Sequence, residues 1–247
     1  MKLGIYIQVP FCQTKCTYCN FHTGVVAKSL YEPYVGAVCR ELRDHAPLYQ
    51  AAGVRGVVGA QHASTSLRTG AVPDAGGLSL SSDNTAPRSE GVWVPEVTVD
   101  TIYIGGGTPG LLDPAALERI LQAVRAAFHC ELEEVTLEAD PETVTPEKAA
   151  AWRAAGINRI SFGAQSFNDT ELKAACRMHR REDIYRATEI LRDGGFSNLS
   201  FDLIAGLPHQ SAASWEDSLE QLLNLRPEHI PSTYSKWTKA AAWEEKY

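Results

Sequence analysis

The stretch Val9-Pro-Phe-Cys-Gln-Thr-Lys-Cys-Thr-Tyr-Cys-Asn20 places Cys12, Cys16 and Cys19 on one short segment. Three thiolates in this C-x3-C-x2-C spacing can bind three irons of an iron–sulfur cube, because such clusters select soft sulfur ligands. A cube with three protein ligands keeps one iron open, and an open metal position is where substrates bind. A structural zinc site is the second interpretation, with His22 completing a Cys3His set. The spacing alone leaves both interpretations open.

Outside this stretch the chain is acidic and its cysteines are scattered. The 247 residues carry a formal net charge of −7, which argues against a general nucleic-acid or anionic-membrane surface. Cys39, Cys130 and Cys176 do not form a disulfide framework and are predicted to be small buried apolar residues. The N-terminus lacks the features of a signal peptide, and no apolar run reaches membrane-spanning length. We expect a cytoplasmic protein with no nucleic-acid partner and no integral membrane segment.

Apolar β-type runs alternate with amphipathic helical segments along the chain. This alternation predicts an α/β fold in which helices surround a parallel sheet. No G-x-G-x-x-G opens a helix after the first strand, so an open or partial barrel fits better than a dinucleotide-binding sheet. The predicted strands are 3–9, 99–104, 135–137, 157–162 and 198–203. The clearest predicted helices begin at Ser29 with a Ser29–Glu32 capping box, at Asp113-Pro114, at Thr145-Pro146 and at Ser211.

Two regions interrupt this alternation. Residues 46–97 are rich in Ala, Gly and Ser, a composition that cannot bury enough apolar area to offset chain ordering, so a mobile insertion is predicted there. Residues 231–247 lack a convincing strand or helix pattern. We therefore expect one α/β unit over residues 1–230, followed by an atypical tail.

Polar groups or glycines follow each predicted strand. Gly105-Gly-Gly-Thr-Pro109 follows the second strand, Glu138 the third and Gln165 the fourth, while Asp202 lies at the end of the fifth. Parallel βα folds place their active sites at these strand ends, and the glycines let a ligand approach backbone N–H groups. Each feature also has a structural interpretation: the glycines as a tight turn, and Asp202 as an ion-pair partner of an arginine such as Arg159 or Arg177.

The combined motifs resemble the radical S-adenosylmethionine (radical SAM) proteins of the oxygen-independent coproporphyrinogen III oxidase group. The motifs occur in family order: Tyr6-x-x-x-Pro-Phe-Cys12-x3-Cys16-x-Tyr18-Cys19, Gly-Gly-Gly-Thr-Pro109, Leu137-Glu-Ala-Asp-Pro141, Ser161-Phe-Gly-Ala-Gln-Ser-Phe167 and Phe201-Asp-Leu-Ile-Ala-Gly-Leu-Pro208. The resemblance implies a partial (β/α)6 radical SAM barrel. It also implies a 4Fe–4S cluster on Cys12, Cys16 and Cys19 that binds S-adenosylmethionine, which replaces the zinc interpretation.

The same resemblance implies two groups of cofactor-binding residues. The first group contacts the cluster-bound S-adenosylmethionine and comprises Tyr6, Gly106 and Glu138. The second group matches positions that line a second S-adenosylmethionine or substrate site: Tyr18, Gly107, Thr108, Gln165, Arg177 and Asp202. No catalytic residue is assigned.

Two differences favour the heme chaperones of the HemW type over the oxidases. The oxidases carry a further cysteine two positions after the third cluster ligand, where this chain has Phe21, and they carry a long N-terminal extension. The resemblance then implies heme as cargo, heme-accepting proteins as partners, and a flavodoxin- or ferredoxin-type electron donor. The alternatives are a coproporphyrinogen III oxidase acting on porphyrinogen, or an inactive fragment of either, because the family's C-terminal domain is expected to be missing. His179 and His209 are not assigned as heme ligands.

Overall fold

The computed structural model describes residues 1–51 and 97–234. Six strands form one parallel sheet in which spatial order follows chain order. The strands are β1 (Lys2–Val9), β2 (Thr98–Gly106), β3 (His129–Ala139), β4 (Arg159–Gln165), β5 (Leu199–Ala205) and β6 (Ser232–Tyr234). The helices are α1 (Tyr31–Ala51), α2 (Pro114–Ala127), α3 (Pro146–Ala155), α4 (Asp169–Ala174), α5 (Arg181–Asp193) and α6 (Ala212–Asn224). A strand order without reversal is that of a βα barrel rather than a doubly wound sheet, which confirms the predicted fold class.

The register of the sheet brings the carboxyl ends of the strands to one edge. Val9 at the end of β1 pairs with Gly106 at the end of β2, and Gln165 at the end of β4 pairs with Leu203 of β5. Loops that leave neighbouring parallel strands therefore meet above the same edge. This edge is where the sequence predicts the functional residues.

The core lies between the sheet and the helices. Strand side chains such as Ile104, Leu137 and Phe162 are fully buried, and the Phe162 and Phe201 rings pack with their centroids 5.3 Å apart. Helix α2 contributes a buried face of five side chains, and α3 contributes the fully buried Trp152. At about 25 cal/mol per Å² of apolar surface removed from water, these faces hold the helices on the sheet.

Predicted helix ends at α2 and α3 are confirmed by their hydrogen bonds. The Asp113 carboxylate accepts from the Ala115 N–H at 2.9 Å, and the Thr145 hydroxyl accepts from the Lys148 N–H at 3.3 Å. Helix α3 ends at Gly156, whose φ of 97° lies in the left-handed region that glycine adopts without strain. These local signals act within one turn, so sequence alone specifies them.

The first helix differs from its prediction at both ends. Helix α1 begins at Tyr31 after a short 3-10 turn, and the Glu32 carboxylate accepts from Arg119 at 2.7 Å instead of closing a capping box. Helix α1 also continues to Ala51, and Ala46 is buried, so the predicted start of the insertion at residue 46 is wrong. The remainder of the predicted mobile insertion, residues 52–96, lies outside the described residues.

The last strand lies where no strand was predicted. Residues Ser232–Tyr234 pair with Leu203–Ala205 and extend the sheet beyond residue 230. Residues 235–247 of the predicted tail lie outside the described part of the chain. In α6, Leu222 is fully buried, whereas Leu223 is exposed. Across residues 1–51 and 97–234, no helix combines the length and the apolar character needed to cross a membrane.

Candidate functional site

A cavity of about 690 Å³ opens at the carboxyl edge of the sheet. Its wall includes every residue for which the resemblance implies a role in binding the cluster or cofactor. These residues come from β1 and the segment after it, from the ends of β2, β3 and β4, from β5, and from the segment after α4: Tyr6, Cys12, Cys16, Tyr18, Cys19, Gly106, Gly107, Thr108, Glu138, Gln165, Arg177 and Asp202. The fold thus brings together residues that lie up to about 200 positions apart in the sequence. Their individual roles remain predictions.

The cysteine loop (residues 10–24) follows β1 and presents three partly buried free thiols. The Cys12 N–H donates to the Gly24 carbonyl at 3.1 Å, and the Gly24 N–H donates to the Pro10 carbonyl at 3.0 Å, so the loop closes on itself. Burial raises the pKa of the Cys12 thiol, which a bound metal would reverse because metal ligands are deprotonated. Within the described residues no three potential ligands are arranged to hold a single ion. The three free thiols line one cavity, and thiolates are the protein ligands that iron–sulfur clusters take.

The glycine loop (residues 105–109) contacts the cysteine loop directly. The Gly107 N–H donates to the Val9 carbonyl and the Thr108 N–H donates to the Phe11 carbonyl, each at 2.7 Å. A Cβ on Gly107 would lie 2.3 Å from the Phe11 carbonyl oxygen, so this position excludes any side chain. The expectation that a ligand lies against these N–H groups is therefore wrong, because the protein already uses them. A ligand at this loop has the carbonyl oxygens to contact.

Glu138 is held by two donors from β2. The Tyr103 hydroxyl donates to its Oε1 at 2.7 Å, and the Gly106 N–H donates to its Oε2 at 2.9 Å. Burial raises the pKa of Glu138, while both hydrogen bonds act in the opposite direction. A Cβ on Gly105 would lie 2.9 Å from the Glu138 carboxyl group, so the missing side chain makes room for the carboxylate.

Tyr103 was not identified from the sequence. Its ring stacks on that of Tyr6, with centroids 5.7 Å apart, and thereby joins β1 to the Glu138 site. The available signal was the two-residue period of a strand, which puts Tyr103 on the same face as Gly105.

Asp202 is partly buried and forms no ion pair within the described residues. Burial, together with the nearby charge of Glu138, raises the pKa of Asp202 to about 6. Neither ion pair considered from the sequence forms: within the described residues Arg159 pairs with Glu134 at 3.5 Å, and Arg177 pairs with Asp140. Asp202 thus contributes negative charge to the cavity rather than a structural contact.

Gln165 combines an unusual backbone with an unsatisfied side chain. Its φ of 66° is uncommon for a residue other than glycine, and its buried Oε1 has no hydrogen-bond partner among the described residues. Buried acceptors are normally paired, so this oxygen is available to a donor that enters the cavity. Strain at a position that also carries an open acceptor is typical of ligand sites.

Asp140 lines the cavity and was also not identified as a functional residue from the sequence. Its carboxylate accepts from Arg177 on one oxygen and from the Thr108 hydroxyl, at 2.9 Å, on the other. Nothing local in the sequence distinguishes this role, because both donors come from other strand ends. Asp140 instead joins the second, third and fourth strand connections.

The scattered cysteines and histidines have different environments from those expected. Cys39 and Cys130 are only partly buried and Cys176 is exposed, so the prediction of small buried residues is wrong for Cys176. His179 is buried, with Nε2 at 3.1 Å from the Ala164 carbonyl, whereas His209 is exposed.

Comparisons with known proteins agree with this arrangement. The model of the Radical SAM superfamily matches residues 93–222. The heme chaperone HemW of Synechocystis is 33% identical over 237 residues, which cover 93% of this chain and 46% of that protein. The oxygen-independent coproporphyrinogen III oxidase of Bradyrhizobium diazoefficiens is 30% identical over 92% of this chain and 41% of its own length.

The fold also matches a solved structure. The coproporphyrinogen III oxidase HemN of Escherichia coli, described as a radical SAM enzyme, matches with a TM-score of 0.70 at 24% identity, over 94% of this chain and 44% of that chain. The chain spans about half the length of the curated relatives that it matches. Since the family model covers more than half of the residues, the chain belongs to the Radical SAM superfamily, which implies a 4Fe–4S cluster and S-adenosylmethionine.

Proposed function

We propose that Cys12, Cys16 and Cys19 bind three irons of a 4Fe–4S cluster and leave the fourth iron for S-adenosylmethionine. The supporting observation is that all three free thiols line one cavity together with Glu138 and the glycine loop. When bound, the cluster supplies one electron for reductive cleavage of S-adenosylmethionine. Residues of the chain orient the bound S-adenosylmethionine and balance its charge.

Residues of the first three strands are suited to orient the cofactor. Glu138 presents a carboxylate fixed by Tyr103 and Gly106, which suits the two hydroxyls of a ribose. The glycine-loop carbonyls suit an ammonium group, since the neighbouring N–H groups are already used within the protein. Tyr6 covers this side of the cavity from β1.

A second ligand position lies toward β4 and β5 in this proposal. Gln165 offers an unpaired buried acceptor and Asp202 offers a carboxylate with a raised pKa. Tyr18, Gly107, Thr108 and Arg177 complete the wall. These residues bind either a second S-adenosylmethionine or the substrate.

We further propose that the protein acts as a heme chaperone, which binds heme and transfers it to acceptor proteins. The observation that carries this proposal is Phe21, an exposed aromatic at the cavity mouth in the position where the oxidases have a further cysteine. Phe21, Tyr6 and Met178 are 64%, 57% and 55% exposed, and all three line the cavity. Exposed large apolar side chains grouped at one opening suit a flat tetrapyrrole.

A coproporphyrinogen III oxidase is the alternative, and the Bradyrhizobium relative of that name supports it at 30% identity. The remaining alternative is an inactive fragment of either protein. The proposal also includes a single barrel unit, which β6 extends beyond the predicted boundary at residue 230. It further includes a cytoplasmic location, heme-accepting proteins as partners, and a flavodoxin- or ferredoxin-type protein as electron donor.

The experiment begins with anaerobic reconstitution of the full chain. We expect about four irons per chain and a broad visible absorption that bleaches on reduction with dithionite. Cys16→Ala should abolish this absorption, whereas Cys176→Ala, at an exposed cysteine outside the cavity wall, should retain it. An intact cluster in Cys16→Ala would contradict the ligand assignment.

The loaded, reduced protein is then incubated with S-adenosylmethionine and either heme or coproporphyrinogen III. Stoichiometric heme uptake, followed by transfer to an apo-hemoprotein, supports the chaperone. Release of carbon dioxide from coproporphyrinogen supports the oxidase instead. A cluster that forms without either result identifies an inactive fragment.

A further inference from the structure

The Arg177 side chain joins the cysteine loop to two strand ends. Its Nη2 donates to Asp140 and, at 3.0 Å, to the carbonyl oxygen of Gly163. Its Nη1 donates to Sγ of Cys16 and to the hydroxyl oxygen of Tyr18, each at 3.5 Å. Only 9% of the side chain is exposed. One guanidinium therefore reaches β4, the residue after β3, and the cysteine loop.

Most donors of this side chain are used within the protein, whereas its buried Nε has no partner among the described residues. Both terminal nitrogens of Arg177 already donate to protein atoms. Its partner Asp140 is fixed on its second oxygen by Thr108. A planar donor held by a buried carboxylate is pre-organised, so it orients the groups that it touches.

We propose that Arg177 is a positioning residue for the cluster, which holds Cys16 in place and raises the cluster's reduction potential through its bond to the Cys16 sulfur. This inference deepens the proposed function and rests on the assignment of Cys16 as a cluster ligand. Arg177 would then act on electron acceptance in addition to lining the second ligand position.

The electrostatic argument concerns the extra negative charge of the reduced cluster. Reduction potentials of iron–sulfur clusters depend on net charge, hydrogen bonds to sulfur and solvent exposure. An N–H donor at a ligating sulfur and a nearby positive charge both favour the reduced form. Since Arg177 is buried, water screens its charge little. Removing the side chain should therefore lower the potential.

The test is potentiometric titration of the reconstituted full-length protein without S-adenosylmethionine. Arg177→Gln should lower the midpoint potential. The pair Arg177→Gln with Asp140→Asn should also lower it, although net charge is conserved and no buried carboxylate is left unpaired. Arg177→Lys should give an intermediate value, because an ammonium keeps the charge but loses the planar fork. Lys173→Gln removes an exposed charge close in sequence and should leave the potential unchanged.

A second measurement reports on the loop rather than on the cluster. Hydrogen exchange of the cysteine-loop amides in the full chain should be faster in Arg177→Gln and in the paired variant, and unchanged in Lys173→Gln. A paired variant with the wild-type potential would overturn the inference. So would a wild-type potential in Arg177→Gln, whatever the affinity of that variant for S-adenosylmethionine. Failure of the cluster assignment itself is detected separately, by Cys16→Ala.

Discussion

Two aspartates in the wall of one cavity have opposite surroundings. Asp140, directly after β3, accepts from the Arg177 guanidinium and the Thr108 hydroxyl. Asp202, in β5, forms no ion pair within the described residues, and burial with the charge of Glu138 raises its pKa to about 6. The Asp140 side is neutralised by the protein itself. The Asp202 side, which includes Glu138, keeps negative charge that a cationic ligand can neutralise.

The largest effect on stability is expected from Asp140→Asn, which removes the ion pair between Asp140 and Arg177. Removing one member of a buried ion pair typically costs about 3–5 kcal/mol, because the other charge stays buried. We expect a fall of that size in the free energy of unfolding, measured by urea denaturation of the cluster-free protein. Asp44→Asn, at an exposed position of α1, is the control and should change little. Equal stability of the two variants would remove the distinction between the two aspartates.

The corresponding substitution at Asp202 should raise the free energy of unfolding rather than lower it. Burial raises the pKa of Asp202 from 3.8 to about 6, so the folded state binds the proton more tightly and loses stability as pH rises through this window. Asp202→Asn has no such titration and should be more stable by up to roughly 3 kcal/mol at pH 7. The gain should disappear below about pH 4. Urea denaturation between pH 4 and pH 8 measures it, and a gain independent of pH would refute the explanation.

Glu138→Gln tests whether the negative charge on the Asp202 side of the cavity is used to bind a ligand. A charged hydrogen bond contributes about 1.5–3 kcal/mol, so loss of this charge should weaken S-adenosylmethionine binding about 10- to 100-fold. Calorimetric titration of the cluster-loaded protein under anaerobic conditions measures the Kd. Glu131→Gln, exposed on the same strand, should bind with the wild-type Kd. Wild-type affinity in Glu138→Gln would show that the carboxylate does not contact the cofactor.

The smallest effect is expected from Tyr103→Phe, which keeps the ring but removes one donor to Glu138. A single neutral donor is typically worth about 0.5–1.5 kcal/mol, which corresponds to a Kd about 2- to 10-fold higher. The same titration measures this change. Tyr185→Phe removes a hydroxyl that donates to Gln221, far from the cavity, and serves as the control. A Kd unaffected by Tyr103→Phe would assign the tyrosine to packing alone.

Local signals in the sequence were sufficient for much of the fold. Asp113, Thr145 and Gly156 mark helix ends through contacts within one turn, and the apolar runs locate the first five strands. Strand β6 has only three residues, and it is defined by pairing with β5 rather than by a pattern of its own. The extension of α1 to Ala51 was missed because the helix contains Pro47, and proline usually ends or kinks a helix.

For the candidate site, residue types at strand ends were predictable and their partners were not. Glu138 and Asp202 follow apolar runs, whereas Tyr103 and Asp140 gain their roles from residues about 30 to 40 positions away. The sequence also did not indicate whether the glycine-loop N–H groups are free to bind a ligand. Their acceptors lie on the cysteine loop and β1, which only the sheet register brings close.

Gly107 leaves no clearance between the cysteine loop and the glycine loop. A Cβ there would lie 2.3 Å from the Phe11 carbonyl oxygen and 3.0 Å from the Cys12 sulfur, and the Thr108 N–H donates to the same Phe11 carbonyl. We therefore expect the two loops to shift together, because the close contact leaves little room for one to move relative to the other. A ligand that displaces the glycine-loop carbonyls should therefore also displace Cys12, because the two loops are in direct contact.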